Sequence, residues 1–420
     1  MARSCRLQDG SKGTQDNCFD RRTRYATHVE RDACRGVRPE TSLLFAMLTT
    51  TRTNPNATEN AEGVAVDRGL NKLVPRFESI LNSQRLNWTC YHRFNRRLGS
   101  GGQGVVFLSE RRGADRFALP VALKIFSPER YATAALYHAA MERMAHVACC
   151  VARIQQDNLL DVHNFVDRDS LRIMVMEWVE GYDLYRLQLP WMLSCVEGRV
   201  STRRWEYLNR VVVTRGPEQS LFRPGVAVAV VRDCLAALSA LHCEGIVHGD
   251  IKPSNIMLKC TGAAKIIDIG SAFELDDPPA CRTCTPAYSA PEVLEGDVPT
   301  PLSDLASLGY VLIELLAGRR LFKEAQTRQQ LLVAKRELPT RLHEFVPREV
   351  AVNELLMKFC RGLIAADPNR RFPSAEAAEL VEFGAANFHR QLIHGNLASE
   401  YDSEIRKWLE ELRDLESQLC

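Results

Sequence analysis

The sequence predicts an α+β fold of two lobes, a small β-rich N-terminal lobe followed by a larger α-helical C-terminal lobe. Three observations lead there. Between about residues 94 and 180, alternating and β-branched segments separated by turns, chiefly "YHRFNRRLGSGGQGVVFLSERR" and "FALPVALKIF", have the period of antiparallel strands. After Gly181 the apolar spacing becomes helical, most clearly in "GVAVAVVRDCLAALSALHCEG", where Gly245 stands as a C-terminal cap. The length of 420 residues suffices for two units that each bury a core.

Taken in order, residues 1–67 are rich in arginine near their start, hold no sustained apolar period and read as disordered; Met47 offers a second translation start. Residues 68–93 form a short helical lead-in, with Leu70, Leu73, Val74, Phe77, Ile80 and Leu81 at near-helical spacing. The main domain covers 94–385, with the N-lobe at 94–180 and the C-lobe at 181–385. Within the N-lobe a helix runs from about Ala132 to Arg153 and precedes two strand-like runs, "LLDVHNFVD" and "LRIMVMEWV". An insert at about 185–224 carries tryptophans and arginines and reads as an added structural helix or a partner-docking segment. The stretch "SDLASLGYVLIELLAG" is the most continuously apolar and is expected to be the central buried helix. Residues 386–420 form a C-terminal amphipathic helical extension, with Ile405, Trp408, Leu409, Leu412 and Leu415 on one face, which either packs on the C-lobe or docks a partner.

Bulk composition narrows the function. A formal net charge of +2 gives no electrostatic reason for a nucleic-acid partner, so small-molecule or protein substrates are expected. No apolar run approaches the roughly 20 residues of a membrane span, and "MARSCRLQDGSKG" lacks the apolar core of a signal peptide, so a cytoplasmic protein is expected. The 14 cysteines are scattered, many in apolar periodic segments, which argues against a disulfide framework. Cys281 and Cys284 form one Cys-x-x-Cys without a second pair at suitable spacing and read as two loop cysteines.

The residues that carry chemistry come in a fixed order. In "LGSGGQGVVF", Gly99, Gly101 and Gly104 sit where one strand turns into the next, and a backbone without Cβ atoms can fold over a polyphosphate and aim N–H groups at its oxygens. Lys124 lies inside the apolar strand "VALK", where burial demands fixed negative charge such as nucleotide phosphate and a carboxylate. Glu142, the acidic residue of the next helix, can be that carboxylate or a solvated face residue. In "IVHGDIKPSNIML", Asp250 can hold an attacking hydroxyl in line, Lys252 can neutralise charge on the moving group, and Asn255 can give a neutral oxygen to magnesium. Thirteen residues beyond Asn255, Asp268 of "DIG" ends an apolar strand as a second metal ligand.

This ordered set, continued by "APE" and "DLASLG", closely resembles the eukaryotic-like protein kinases, in particular their bacterial Ser/Thr branch, over roughly residues 94–385. The resemblance implies a two-lobed kinase-like fold and ATP-dependent phosphorylation of protein Ser or Thr hydroxyls with Mg2+. It implies an adenine pocket of Val106, Ala122 and Met257, with Met176 as gatekeeper, Glu177 to Val179 as hinge and Asp183 near the ribose. It further implies a substrate-docking role for Thr285, a brace between Glu292 and Arg371, and an anchor for the catalytic loop in Asp304. A nucleotide-binding pseudokinase or signalling scaffold is the alternative.

Four positions depart from the family pattern. Gly249 stands where many relatives have an arginine that binds an activation-segment phosphate, so activity is expected not to depend on such a phosphate. Ile269 replaces a phenylalanine but stays apolar, Gln103 replaces the aromatic at the glycine-loop tip, and Cys284 replaces a glycine.

Overall fold

The protein is described here by a computed structural model covering residues 91–279, 284–393 and 401–419. Asn87–Leu415 packs as one unit. The N-terminal segment 1–67 and most of the lead-in 68–93 lie outside the described residues, as does Cys281 of the Cys-x-x-Cys pair.

The N-lobe is a five-stranded antiparallel sheet ordered β1-β2-β3-β5-β4, made of β1 (Tyr91–Gly101), β2 (Gly104–Arg112), β3 (Ala118–Phe126), β4 (Val162–Arg168) and β5 (Leu171–Glu177). Its first strand starts earlier than expected: Tyr91, His92 and Arg93, assigned above to the lead-in, pair with Arg112, Arg111 and Glu110. The lead-in's helical spacing stops before them, and the open edge of β2 fixes their conformation. The sheet has two apolar faces, as period-2 alternation requires. Val121, Leu123 and Val175 form a small outer cluster, whereas Ala122, Met174 and Met176 join the main core. The helix α1 (Ala134–Val151) covers that inner face and is capped by the Thr133 hydroxyl, which accepts from Leu136 N at 3.2 Å.

The C-lobe begins with β6 (Gly181–Asp183) and the short α2 (Leu184–Leu187). The insert is ordered structure, comprising α3 (Pro190–Val196), α4 (Thr202–Val211) and a hairpin of β7 (Val213–Arg215) and β8 (Ser220–Phe222). Then comes α5 (Pro224–Cys243), which ends at Gly245 with φ +70°, a left-handed conformation that suits glycine. Contrary to the sequence reading, α5 is by length and composition apolar enough to cross a membrane. Arg232 and Asp233 interrupt its apolar run yet leave its mean hydropathy high. Here Val226, Val230, Cys234, Leu238 and Leu241 are all buried in the lobe, and Arg232 pairs with Glu379 at 2.6 Å.

Four short strands follow: β9 (Ile246–Val247), β10 (Ile256–Lys259), β11 (Ala264–Ile266) and β12 (Phe273–Glu274). β10 lies between β11 and β6, and β12 pairs with β9. The remaining helices are α6 (Pro291–Glu295), α7 (Pro301–Ala317), α8 (Arg328–Arg341), α9 (Arg348–Ala351), α10 (Glu354–Ile364), α11 (Ala375–Leu380), α12 (Ala385–Ile393) and α13 (Tyr401–Leu419). Every residue of α7 from Ser303 to Ala317 is buried, as its continuous apolar character predicts.

The predicted apolar face of α13 is covered by the chain itself. Ile405, Trp408, Leu409, Leu412 and Leu415 are buried, and Trp408 meets Phe222 of β8 edge-on with ring centroids 5.9 Å apart. Arg204 of α4 clamps the helix through Glu404 (2.5 Å) and Glu411 (2.7 Å). Insert and C-terminal helix therefore stabilise each other.

Candidate active site

Local geometry explains the loop before β10. Asp304, buried in the first turn of α7, accepts from the backbone N–H of His248 (2.8 Å) and Gly249 (2.9 Å), and His242 Nε2 lies 3.0 Å from it. Gly249 adopts φ +74° to present that N–H. Burial holds the His248 imidazole below its usual pKa despite the nearby carboxylates, so the neutral ring accepts from Asp250 N through Nδ1 at 3.3 Å.

Asp250 is the centre of a cluster. Its Oδ1 accepts from the Thr285 hydroxyl at 2.7 Å and from Thr285 N at 3.2 Å, while its Oδ2 takes Lys252 Nζ at 2.5 Å. Lys252 also reaches Thr285 Oγ1 at 3.2 Å. Asn255 donates through Nδ2 to the Asp250 carbonyl at 2.9 Å, which turns its amide oxygen the other way. Because Ile256 pairs with Ile266, Asn255 stands across from Ile267, whose N–H bonds its carbonyl at 3.0 Å; Asp268 follows directly. The β10–β11 hairpin thus brings the two expected metal ligands to one end.

Lys124, 5 % exposed, does not meet Glu142. Its Nζ donates to Asp268 Oδ1 and to Gln103 Oε1, each at 2.7 Å. The reason lies in the rotation of α1. Tyr137, Met141, Met144, Ala148 and Val151 define its buried stripe, and Glu142, one position past Met141, is turned about 100° away and is exposed. Burial by itself would raise the Asp268 carboxyl; Lys124 and the Gly270 N–H (2.9 Å) outweigh it and leave the pKa below the usual value. Gln103 completes the bridge by donating to Ser271 Oγ at 2.8 Å. Neither this nor the Ser271 contact was legible beforehand; the only hint was the odd residue at the loop tip.

The other expected site residues lie on the N-lobe sheet and on the β10–β6 ladder. Val106 faces Lys124 across β2 and β3, Ala122 faces Met176 across β3 and β5, and Met257 faces Asp183 across β10 and β6. Gly99 and Gly101 have open space where a Cβ would be, whereas a Cβ on Gly104, at φ +144°, would strike the Ile125 carbonyl. The Glu177 side chain accepts from Asp161 N at 2.7 Å and pairs with Lys265, a buried lysine that no sequence motif marks. Val179 is buried. Asp183 caps α2 by accepting from Arg186 N at 2.9 Å, and burial raises its pKa.

Below the site, Arg371 and Glu292 form a bidentate pair at 2.6 and 2.7 Å, with Arg371 also donating to the carbonyls of Ala365 and Leu302 at 2.9 Å. Lys335, fully buried, donates to the Ala287 carbonyl at 2.7 Å and lies 3.7 Å from the Tyr310 ring centroid; burial holds its pKa well below the usual value. The segment around Thr285 is fastened from below.

Comparison with known proteins agrees with this geometry. Residues 92–382 match the protein kinase domain family. The serine/threonine-protein kinase PknD of Mycobacterium tuberculosis is 31 % identical over 227 residues, covering 53 % of this chain and 29 % of that protein. PrkC of Bacillus subtilis, also a serine/threonine-protein kinase, is 28 % identical over 328 residues, 76 % of this chain and 44 % of its own length. Pkn2 of Myxococcus xanthus, of the same description, is 28 % identical over 308 residues, 70 % and 32 %. The chain spans less than half the length of each of these relatives. With the family match covering well over half of its residues and the lobes arranged as described, the chain belongs to the protein kinase family.

Proposed function

We propose that the chain transfers the γ-phosphoryl group of ATP to Ser or Thr hydroxyls of protein substrates. The observation that carries this reading is the Asp250–Thr285–Lys252 cluster: a carboxylate already holds a hydroxyl at 2.7 Å, with a lysine amine beside both. An acceptor hydroxyl that replaces Thr285 Oγ1 on Asp250 is oriented for in-line attack, and Lys252 offsets the charge that gathers on the transferred group. Asp250 takes the hydroxyl proton.

Asn255 and Asp268 fit a magnesium ion by their chemistry, one neutral amide oxygen and one carboxylate, both hard donors, at the same end of a hairpin. When bound, the ion offsets phosphate charge. Asp268 becomes available once Lys124 exchanges it for nucleotide phosphate, and Gln103 must release the same amine. Val106, Ala122, Met176, Glu177, Val179, Asp183 and Met257 are the proposed nucleotide contacts. Glu142 is proposed as a partner of Lys124 only if α1 turns, since here it faces out.

Transfer of radiolabelled phosphate from ATP to a generic basic protein tests this, comparing the parent with Asp250→Asn. The variant is expected to lose about 10²- to 10⁴-fold in rate. Equal incorporation by both, or none by either, counts against phosphotransfer by this site.

A further inference from the structure

We infer that the chain binds a zinc ion at a site separate from the nucleotide cleft, formed by His146 and Cys150 of α1 and Glu274 of β12. His146 and Cys150 are four positions apart, so both project from one face of the helix, one turn apart. Glu274 comes from the strand that leaves the Asp268 segment, and β12 is held in place by pairing with β9. The three ligand atoms converge: His146 Nε2 is 3.1 Å and Cys150 Sγ 3.9 Å from the same oxygen, Glu274 Oε1, and all three lie within 4.8 Å of one another. The edges of a tetrahedral zinc site with N, S and O donors measure about 3.3–3.8 Å, so small side-chain movements bring all three into coordination.

The donor set selects the metal. Imidazole, thiolate and carboxylate together suit zinc, whereas magnesium and calcium take oxygen alone. The His146 side chain is 64 % exposed, which leaves an entry path and room for a water as fourth ligand. Arg153 Nη2 donates to Cys150 Sγ at 3.5 Å and, being exposed, can swing aside. A bound ion would fasten α1 to the start of the activation segment. That joint bears on whether Glu142 or Asp268 meets Lys124, but the binding itself does not depend on phosphotransfer.

The test uses the full chain kept reduced without added thiols and titrated with Co2+, whose thiolate complexes absorb in the near ultraviolet. One equivalent is expected to give this charge-transfer band, and Zn2+ to abolish it. Cys150→Ser should remove the band, His146→Ala and Glu274→Gln should weaken Co2+ binding at least tenfold, and Cys149→Ser and Cys284→Ser should leave it intact. X-ray absorption of the zinc-loaded parent should show one sulfur among nitrogen and oxygen neighbours. The inference is overturned if the parent gives no band, if Cys150→Ser keeps it, or if Cys284→Ser removes it. Because His146 is exposed, its variant folds independently of the outcome at Cys150.

Discussion

Lys124 Nζ and Asp268 Oδ1, 144 residues apart in the chain, lie 2.7 Å apart in a site where Gln103 holds the same amine. Under the proposed function nucleotide phosphate displaces both partners, and a hydrogen bond to a charged group contributes about 1.5–3 kcal/mol. Gln103→Ala is therefore expected to lower the KM for ATP by about tenfold to 100-fold, measured at fixed protein substrate. Lys124→Met is expected to reduce turnover at least about 100-fold, since the phosphates lose their fixed cation. An unchanged KM in the first variant would refute the bridge's role.

Gly249 carries φ +74°, and a Cβ there would stand 3.1 Å from the Ser271 carbonyl oxygen. Gly249→Ala should cost about 1–2 kcal/mol in unfolding free energy by denaturant titration.

The same glycine leaves no side chain at position 249 to hold an activation-segment phosphate. Enzyme stripped of phosphate at Ser271, Thr283, Thr285 and Ser289 is expected to keep its turnover; loss of activity after phosphatase treatment alone would refute this.

Arg371 has a fully buried side chain and two bonds to Glu292. Arg371→Met should destabilise by about 3–5 kcal/mol because Glu292 keeps an uncompensated charge. Adding Glu292→Gln should recover part of that loss, a non-additivity readable in a double-mutant cycle.

Asp233 of α5 has its carboxyl pushed up to about 6, chiefly by burial, against the pull of the Ala264 N–H at 2.7 Å and with a smaller push from Asp402. A folded-state pKa above the unfolded one contributes stability at low pH that is lost as pH rises through about 6. Asp233→Asn keeps the acceptor for Ala264 and removes the titration. It should be more stable than the parent at pH 7.5 by about 1–3 kcal/mol, with the difference vanishing near pH 4.

Much of the site was legible because it is local. His248, Asp250, Lys252 and Asn255 lie within eight consecutive positions, where backbone geometry alone sets their relative placement, and the hairpin carrying Asp268 begins directly after them. The apolar stripe of α13 was equally readable from its period, and so was the buried character of α7. The partner of that stripe was not, because Phe222 belongs to an insert far from α13 in the chain and only folding brings the two together.

By itself the sequence determined the two-lobed architecture, the order of its strands and helices and the identity of the chemical groups, since period and short spacing follow from covalent geometry. Only the tertiary structure decided which charges meet. A rotation of α1 about its axis by about 100° would bring Glu142 inward, and packing of Met141 and Met144 fixed it outward. Lys124 then took the nearest carboxylate left to it, Asp268, and Gln103 closed over the pair, contacts set by competition among groups far apart in the chain.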